Sequence, residues 1–153
     1  MAKLKIGDIV EIKTVKGLAY AQYTHKHKQY GALLRVFRNF YSSRPVDFSE
    51  LVKNKPIFIC FFPLSAAVDQ YIVSIVDNLT VSSEQQAFPI FRAGVIDQAT
   101  RKVGTWWLWD GEKEWQVGEL TTEQRKLPIR GVWNDTLLIS RIESGWTPET
   151  DQT

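Results

Sequence analysis

One cysteine excludes a disulfide framework, and at 153 residues the chain can do without one, since a domain of this size buries roughly 68–70% of the surface its unfolded form exposes. The cysteine, Cys60, lies inside the apolar run Pro56-Ile-Phe-Ile-Cys-Phe-Phe62, which points to a buried thiol in a reducing compartment. No segment approaches the ~18 uninterrupted apolar residues of a membrane span. The opening Met1-Ala-Lys-Leu-Lys-Ile-Gly-Asp8 meets an aspartate before any apolar stretch long enough for a signal peptide. The expected location is the cytoplasm.

Catalytic signatures are also missing. No Gly-x-Ser-x-Gly, P-loop, dinucleotide fingerprint, paired-cysteine zinc motif or His-Glu-x-x-His occurs. The expectation is a non-enzyme with no cofactor. A pair of carboxylates needs no motif, so Glu112 and Glu114, read as sharing a strand face, are the residual enzymatic candidates, against the simpler reading of a solvated hairpin edge. Cys60 makes a poor nucleophile, because an apolar strand raises a thiol's pKa and suppresses its reactivity. Both histidines, His25 and His27, fall in Thr24-His-Lys-His-Lys-Gln-Tyr30. Their spacing suits one side of an extended segment, but a structural metal usually needs four ligands and nothing completes the set. The segment reads as a solvated basic loop, with no metal.

The sequence is rich in tryptophan, with six residues, and four of these fall within ten positions, in Val103-Gly-Thr-Trp-Trp-Leu-Trp-Asp-Gly-Glu-Lys-Glu-Trp-Gln-Val117. Asp110-Gly111 supplies turn residues that tolerate positive φ, and aromatic and β-branched flanks favour a pleated surface, so the stretch reads as a β-hairpin. Alternation puts Trp106 and Leu108 on one face, and Thr105, Trp107 and Trp109 on the other. A turn of two or four residues adds Trp115 and Val117 to the first face; a three-residue turn with a bulge adds them to the second. The sequence leaves both registers open.

Around the hairpin, Lys5–Lys13, Gly17–Tyr23 and Gly31–Phe37 read as three strands of an antiparallel meander curling towards a small SH3-like barrel. Pro45–Asn54 reads as a short helix capped by Asp47, and Pro56–Phe62 as a strand buried on both faces. Leu64–Gln70 is a loop or one helical turn, and Tyr71–Asp77 is a strand. Phe88-Pro-Ile-Phe91 is an edge or irregular crossing, because Pro89 cannot join a ladder. Leu120–Pro128 reads as a short helix. Asn134–Gly145 is a stronger helix signal, with Asn134 as cap, Leu138 and Ile142 on one face, and Gly145 as its end. The whole is an α+β fold: a strongly bent antiparallel sheet or partly open SH3-like barrel with two or three short helices. Residues 1–146 form a single β-rich domain, and 147–153 a frayed polar tail.

The order Ile6-Gly-Asp-Ile-Val10, Tyr30-Gly-Ala-Leu-Leu-Arg-Val-Phe37, a proline-bounded strand at Pro56, Phe88-Pro-Ile-Phe91, then Trp109-Asp-Gly-Glu-Lys-Glu-Trp115 with Gly118-Glu-Leu-Thr121 resembles the immunity protein 26 family, over nearly the whole chain. That resemblance implies a cytoplasmic non-enzyme of a bacterial polymorphic-toxin system, one that binds and neutralises a cognate toxin. It carries no set of functional residues, so the sites come from physical reading.

The net charge of +2 conceals an asymmetry: residues 1–55 hold eleven Lys/Arg against four Asp/Glu, and residues 56–153 hold eight against thirteen. The acidic half suggests partner-binding residues on the hairpin: Trp107 or Trp109, whichever faces solvent, as anchor, with Glu112 and Glu114 as an acidic rim, unless the helix around Leu138 and Ile142 covers the rings. The basic half suggests the alternative, a nucleic-acid-binding module with Lys13, Lys16, Lys26, Lys28, Arg35 and Arg38 on phosphates and Tyr20, Tyr23 or Tyr30 stacking on bases.

Overall fold

A computed structural model describes residues 3–153. Four consecutive strands, β1 (Asp8–Thr14), β2 (Gly17–His27), β3 (Gly31–Val36) and β4 (Phe58–Phe62), form an antiparallel meander, and β5 (Val73–Asn78) joins the free side of β1, giving the order β4-β3-β2-β1-β5. A second antiparallel sheet contains β6 (Phe91–Ala93), β7 (Trp106–Trp109) and β8 (Glu114–Gly118), in that order. Two α-helices complete the fold, α1 (Leu64–Asp69) and α2 (Asp135–Ser144). The architecture is thus the expected α+β bent sheet. It is open rather than closed into a barrel.

Residues 128–133 stitch the two sheets together. Arg92 N donates to the Pro128 carbonyl and Arg130 N to the Arg92 carbonyl, while Trp133 N donates to the Phe61 carbonyl. The segment therefore runs parallel to β6 at one end and to β4 at the other, satisfying backbone groups that two sheet edges would otherwise leave open. Only β5 and β8 keep a free outer edge among the described strands.

Strand alternation sorts the core. Val10, Ile12, Ala19, Ala21, Tyr23, Leu34, Val36, Phe58, Cys60 and Phe62 face one side of the large sheet, where Leu64 and Ala67 of α1, Leu138 and Ile142 of α2, and Trp133 cover them. The opposite face is divided. Ile9, Tyr20 and Phe37 pack under Phe48, Leu51 and Val52, and Leu33 and Phe61 pack under Phe91 and Trp109 of the small sheet. Pro56–Phe62 is accordingly apolar on both faces. Glu11, Gln22, Thr24 and Arg35 are buried on this divided face as well. Gln22 and Arg35 bond carbonyls of the irregular stretch 79–87: Gln22 Nε2 reaches Leu79 O at 2.8 Å and Arg35 Nη2 reaches Ala87 O at 3.1 Å. A loop crossing a sheet leaves carbonyls without ladder partners, and polar side chains on the sheet supply the donors.

Several local expectations are corrected. Between Pro45 and Asn54 only a 3₁₀ turn forms, Leu51–Lys53, because the Asp47 carboxylate binds Ser49 N and Oγ and the backbone instead presents Phe48, Leu51 and Val52 to Tyr20. The helix expected before Pro128 is also one 3₁₀ turn, Gln124–Lys126, although Thr121 and Gln124 cap it reciprocally. Strand β2 runs on through His27 past a bulge at Tyr23/His25, so the histidines lie on a strand, not in a solvated loop. Residues 147–153 are docked, not frayed. Pro148–Thr150 is a 3₁₀ turn with Pro148 buried; Asp151 reaches Arg141 at 3.6 Å and accepts from Trp146 Nε1 at 3.3 Å. Arg141 itself is sandwiched over the Trp133 and Trp146 rings, 4.6 and 4.1 Å from their centroids. Helix α2 keeps its predicted ends: the Asn134 side chain accepts from Leu137 N at 2.8 Å, and Gly145 takes φ 69°.

Candidate functional site

The hairpin has a four-residue turn, 110–113: Trp109 pairs with Glu114 and Leu108 with Trp115. This selects the first register, so Trp115 shares the face of Trp106 and Leu108, with a bulge between Trp106 and Trp107. Asp110 Oδ1 accepts from Glu112 N and Lys113 N at 2.9 and 2.8 Å, which holds the Asp110 carboxyl below the usual range, and Gly111 adopts φ 101°. A side chain at Gly111 would meet the Phe88 ring at 2.8 Å, so glycine there serves both the turn and the close approach of Phe88.

Two histidines clamp the hairpin and the 79–90 stretch onto the large sheet. His27 Nε2 bonds the Gly111 carbonyl at 2.7 Å, while its Nδ1 accepts from Gln29 N and Tyr30 N. His25 Nε2 bonds Gln86 O at 2.7 Å, and its Nδ1 meets Thr24 Oγ1 at 2.9 Å. The carbonyl partners make Nε2 the donor in both rings, and in His27 the two backbone donors make Nδ1 the acceptor. For His25, burial, with Arg35 as a lesser cause, pushes the pKa below the ordinary value. The His27 ring also packs among Tyr30, Phe61, Phe88 and Trp109. The histidine pair is a seam between sheets, which no feature of the basic stretch around it announced. Among the described residues, no three His, Cys, Asp or Glu side chains are grouped to hold a metal.

The predicted hairpin residues separate. Trp109 is 5% exposed and belongs to the core with Phe61 and Phe91, so it cannot anchor a partner. Trp107, two residues earlier on the same face, is 36% exposed. It lines a shallow groove of about 360 Å³ with Ala93, Gly94, Val95, Glu114 and Arg130. Arg130 lies between the two rings' environments, over Trp109 at 5.3 Å and paired with Glu114 at 2.9 Å. Helix α2 does not cover these rings; its buried residues belong to the large sheet's core. Glu112 sits in the turn and Glu114 on β8, so they do not share a strand face. Trp115, on the other face, is 41% exposed, a second open ring that the register alone decided. Trp106 is covered by Arg92, whose guanidinium lies 4.8 Å from its ring.

The six candidate phosphate-binding cations do not converge. Lys13 and Lys16 lie near the β1–β2 turn, and Lys26 and Lys28 near the β2–β3 turn at the far end of β2. At roughly 3.3 Å per residue, that separation is about 30 Å. Arg35 is buried, and of the six only it and Arg38 line a common cavity. Tyr20 and Tyr23 are buried and Tyr30 stacks on Phe61, so none of these rings is free to stack on a base. Cys60 is fully enclosed and burial pushes its thiol up, away from reactivity. No helix among the described residues is long and apolar enough to cross a membrane.

The hairpin presents two open tryptophan rings on opposite faces, four carboxylates against one lysine between Thr105 and Glu119, and the unpaired outer edge of β8. Comparisons of the chain with protein-family models, with curated proteins and with solved structures gave no match.

Proposed function

We propose that this chain is a non-enzymatic immunity protein that binds and neutralises a cognate bacterial toxin in the cytoplasm, with the β7–β8 hairpin as its docking surface. The observation that carries the reading is the pair of open rings, Trp107 and Trp115, flanking a free strand edge. Tryptophan is enriched among residues that dominate binding energies, because a large ring is desolvated at little entropic cost. The carboxylates of Asp110, Glu112, Glu114 and Glu119 would steer a basic partner and quicken encounter. The sequence resemblance supplies the partner class, and the reducing environment that Cys60 suits fits the location.

The test is co-expression with any toxin-domain protein found encoded beside it, scored by growth rescue and by titration calorimetry of the pair. The expected result is protection by the wild-type chain and loss of at least ~2 kcal/mol of binding in Trp107→Ala or Trp115→Ala. Failure of the folded wild-type chain to bind or protect would overturn the reading.

A further inference from the structure

A second cavity lies elsewhere, against β3 and β4 of the large sheet, and shares no residue with the hairpin. Its volume is about 610 Å³, and its walls come from β3, β4, the 3₁₀ turn at Ser83–Gln85, the turn at Gln124–Lys126 and the C-terminal turn. Ligand sites commonly occupy roughly 300–1,000 Å³ and combine apolar walls with a few polar groups. Here the apolar part is Pro56, Ile57, Phe58, Ile59, Pro128 and Pro148, and the charged part is Arg35, Arg38, Lys55 and Lys126 against Glu84 and Glu149.

Two buried groups in this wall are incompletely partnered. Arg35 is only 5% exposed, yet no carboxylate among the described residues pairs with it. Its Nε donates to Thr24 Oγ1 at 3.2 Å and its Nη2 to Ala87 O at 3.1 Å, both neutral acceptors. Nη1 makes no such bond and is not sealed from solvent. The neighbouring His25 is neutral and brings no counter-charge. Burial alone draws the guanidinium down to about 10, which still leaves it charged at neutral pH. Gln85 is 4% exposed: its Nε2 donates to Asn54 O at 2.7 Å, and its Oε1 is buried with no donor. The amide cannot be turned to relieve this, because Oε1 would then face the Asn54 carbonyl. Gln85 Oε1 is sealed from solvent, so a molecule in the cavity reaches the charged donor of Arg35 and not this acceptor, and a charged donor without a carboxylate calls for an anionic group.

We infer that this cavity binds a small phosphorylated molecule, the phosphate against Arg35 with Arg38 and Lys126 nearby, and the molecule's body against the apolar wall. Arg35, Arg38 and Lys55, with Lys126 shared with Glu123 at 3.2 Å, favour a phosphate dianion over a single carboxylate, and the proline- and phenylalanine-lined wall suits a ring. A nucleoside monophosphate has both features.

The probes are adenosine 5′-monophosphate, inorganic phosphate, adenosine and benzoate, titrated into the full chain at constant ionic strength and followed by calorimetry and amide chemical shifts. Saturable binding of the monophosphate is expected, with weaker binding of inorganic phosphate. The rim double variant Arg38→Ala/Lys126→Ala, altered only at exposed positions, should weaken both by at least ~10-fold. Arg35→Gln, checked for native circular dichroism, should abolish both. No saturable binding of either phosphate at ~10 mM, or equal binding by wild type and rim variant, would overturn the site. Benzoate binding more tightly than the monophosphate would overturn its assignment to phosphate.

Discussion

Trp109 and Trp107 project from the same face of the same strand, and one is core while the other is open to solvent. The contrast is that of the two sheets. The five-stranded sheet is covered on one face by α1, α2 and Trp133 and on the other by Phe48, Leu51, Val52 and the small sheet. The three-stranded sheet meets the larger one near its turn, where Phe88, Phe91 and Trp109 pack with Phe61 and His27. Trp107 instead lines an open groove with Arg130 and Glu114, and β8 has no outer neighbour among the described strands. One sheet is thus scaffold; the other is half scaffold and half surface. A strand's alternation fixes which residues share a face, but burial depends on how far the neighbouring layer extends.

The sharpest way to break this contrast is to truncate each ring. Trp109→Ala should cost about 3–5 kcal/mol of unfolding free energy, as for a buried aromatic, and Trp107→Ala under ~1 kcal/mol, as for a surface position. Equal losses in urea denaturation would mean that the two rings share one environment. Deleting residues 147–153 is expected to cost about 2–4 kcal/mol, because Arg92 Nη2 loses the Pro148 carbonyl, 2.6 Å away, and this buried cation, whose Nε and Nη1 already lack acceptors, keeps none for its side chain. An unchanged melting temperature would return those residues to the status of a tail.

Within the scaffold sheet, Glu11 accepts from Tyr20 Oη at 2.8 Å and from Arg44 at 2.8 and 3.1 Å, and the Arg44 hydrogen bond above all holds its carboxyl below the ordinary glutamate range. The unfolded chain therefore binds the proton first. Stability from this group is present above about pH 4.3, the unfolded value, and is lost as pH falls through the lower folded value. Glu11→Gln should flatten the acid limb of the stability curve; an identical limb in the variant would assign the acid sensitivity to other carboxylates. The smallest effect concerns Tyr71, which ends α1 at φ 60° with its side chain exposed. Tyr71→Gly should gain about 0.5–1 kcal/mol, read as a rise in melting temperature. A loss would show that the ring makes a stabilising contact.

Much was legible from residues alone. The β1–β3 meander, the doubly apolar β4, the Asn134 cap and Gly145 end of α2, and the Trp hairpin follow from periodicity and local hydrogen-bonding chemistry, which are decided within a few residues of chain. The open sheet, its α+β class and the face assignments of Trp106 through Trp109 belong with them. The four-residue turn did not, because Asp110-Gly111 suits several turn lengths, and only the pairing of Leu108 with Trp115 put the latter ring on its face. Nor did the fate of Trp109, the role of His25 and His27 in joining the sheets, the docking of residues 147–153, or the meeting of Arg35 with Gln85 across fifty positions. Each of these depends on which surfaces the fold brings together over long sequence separation, and no local pattern encodes that distance.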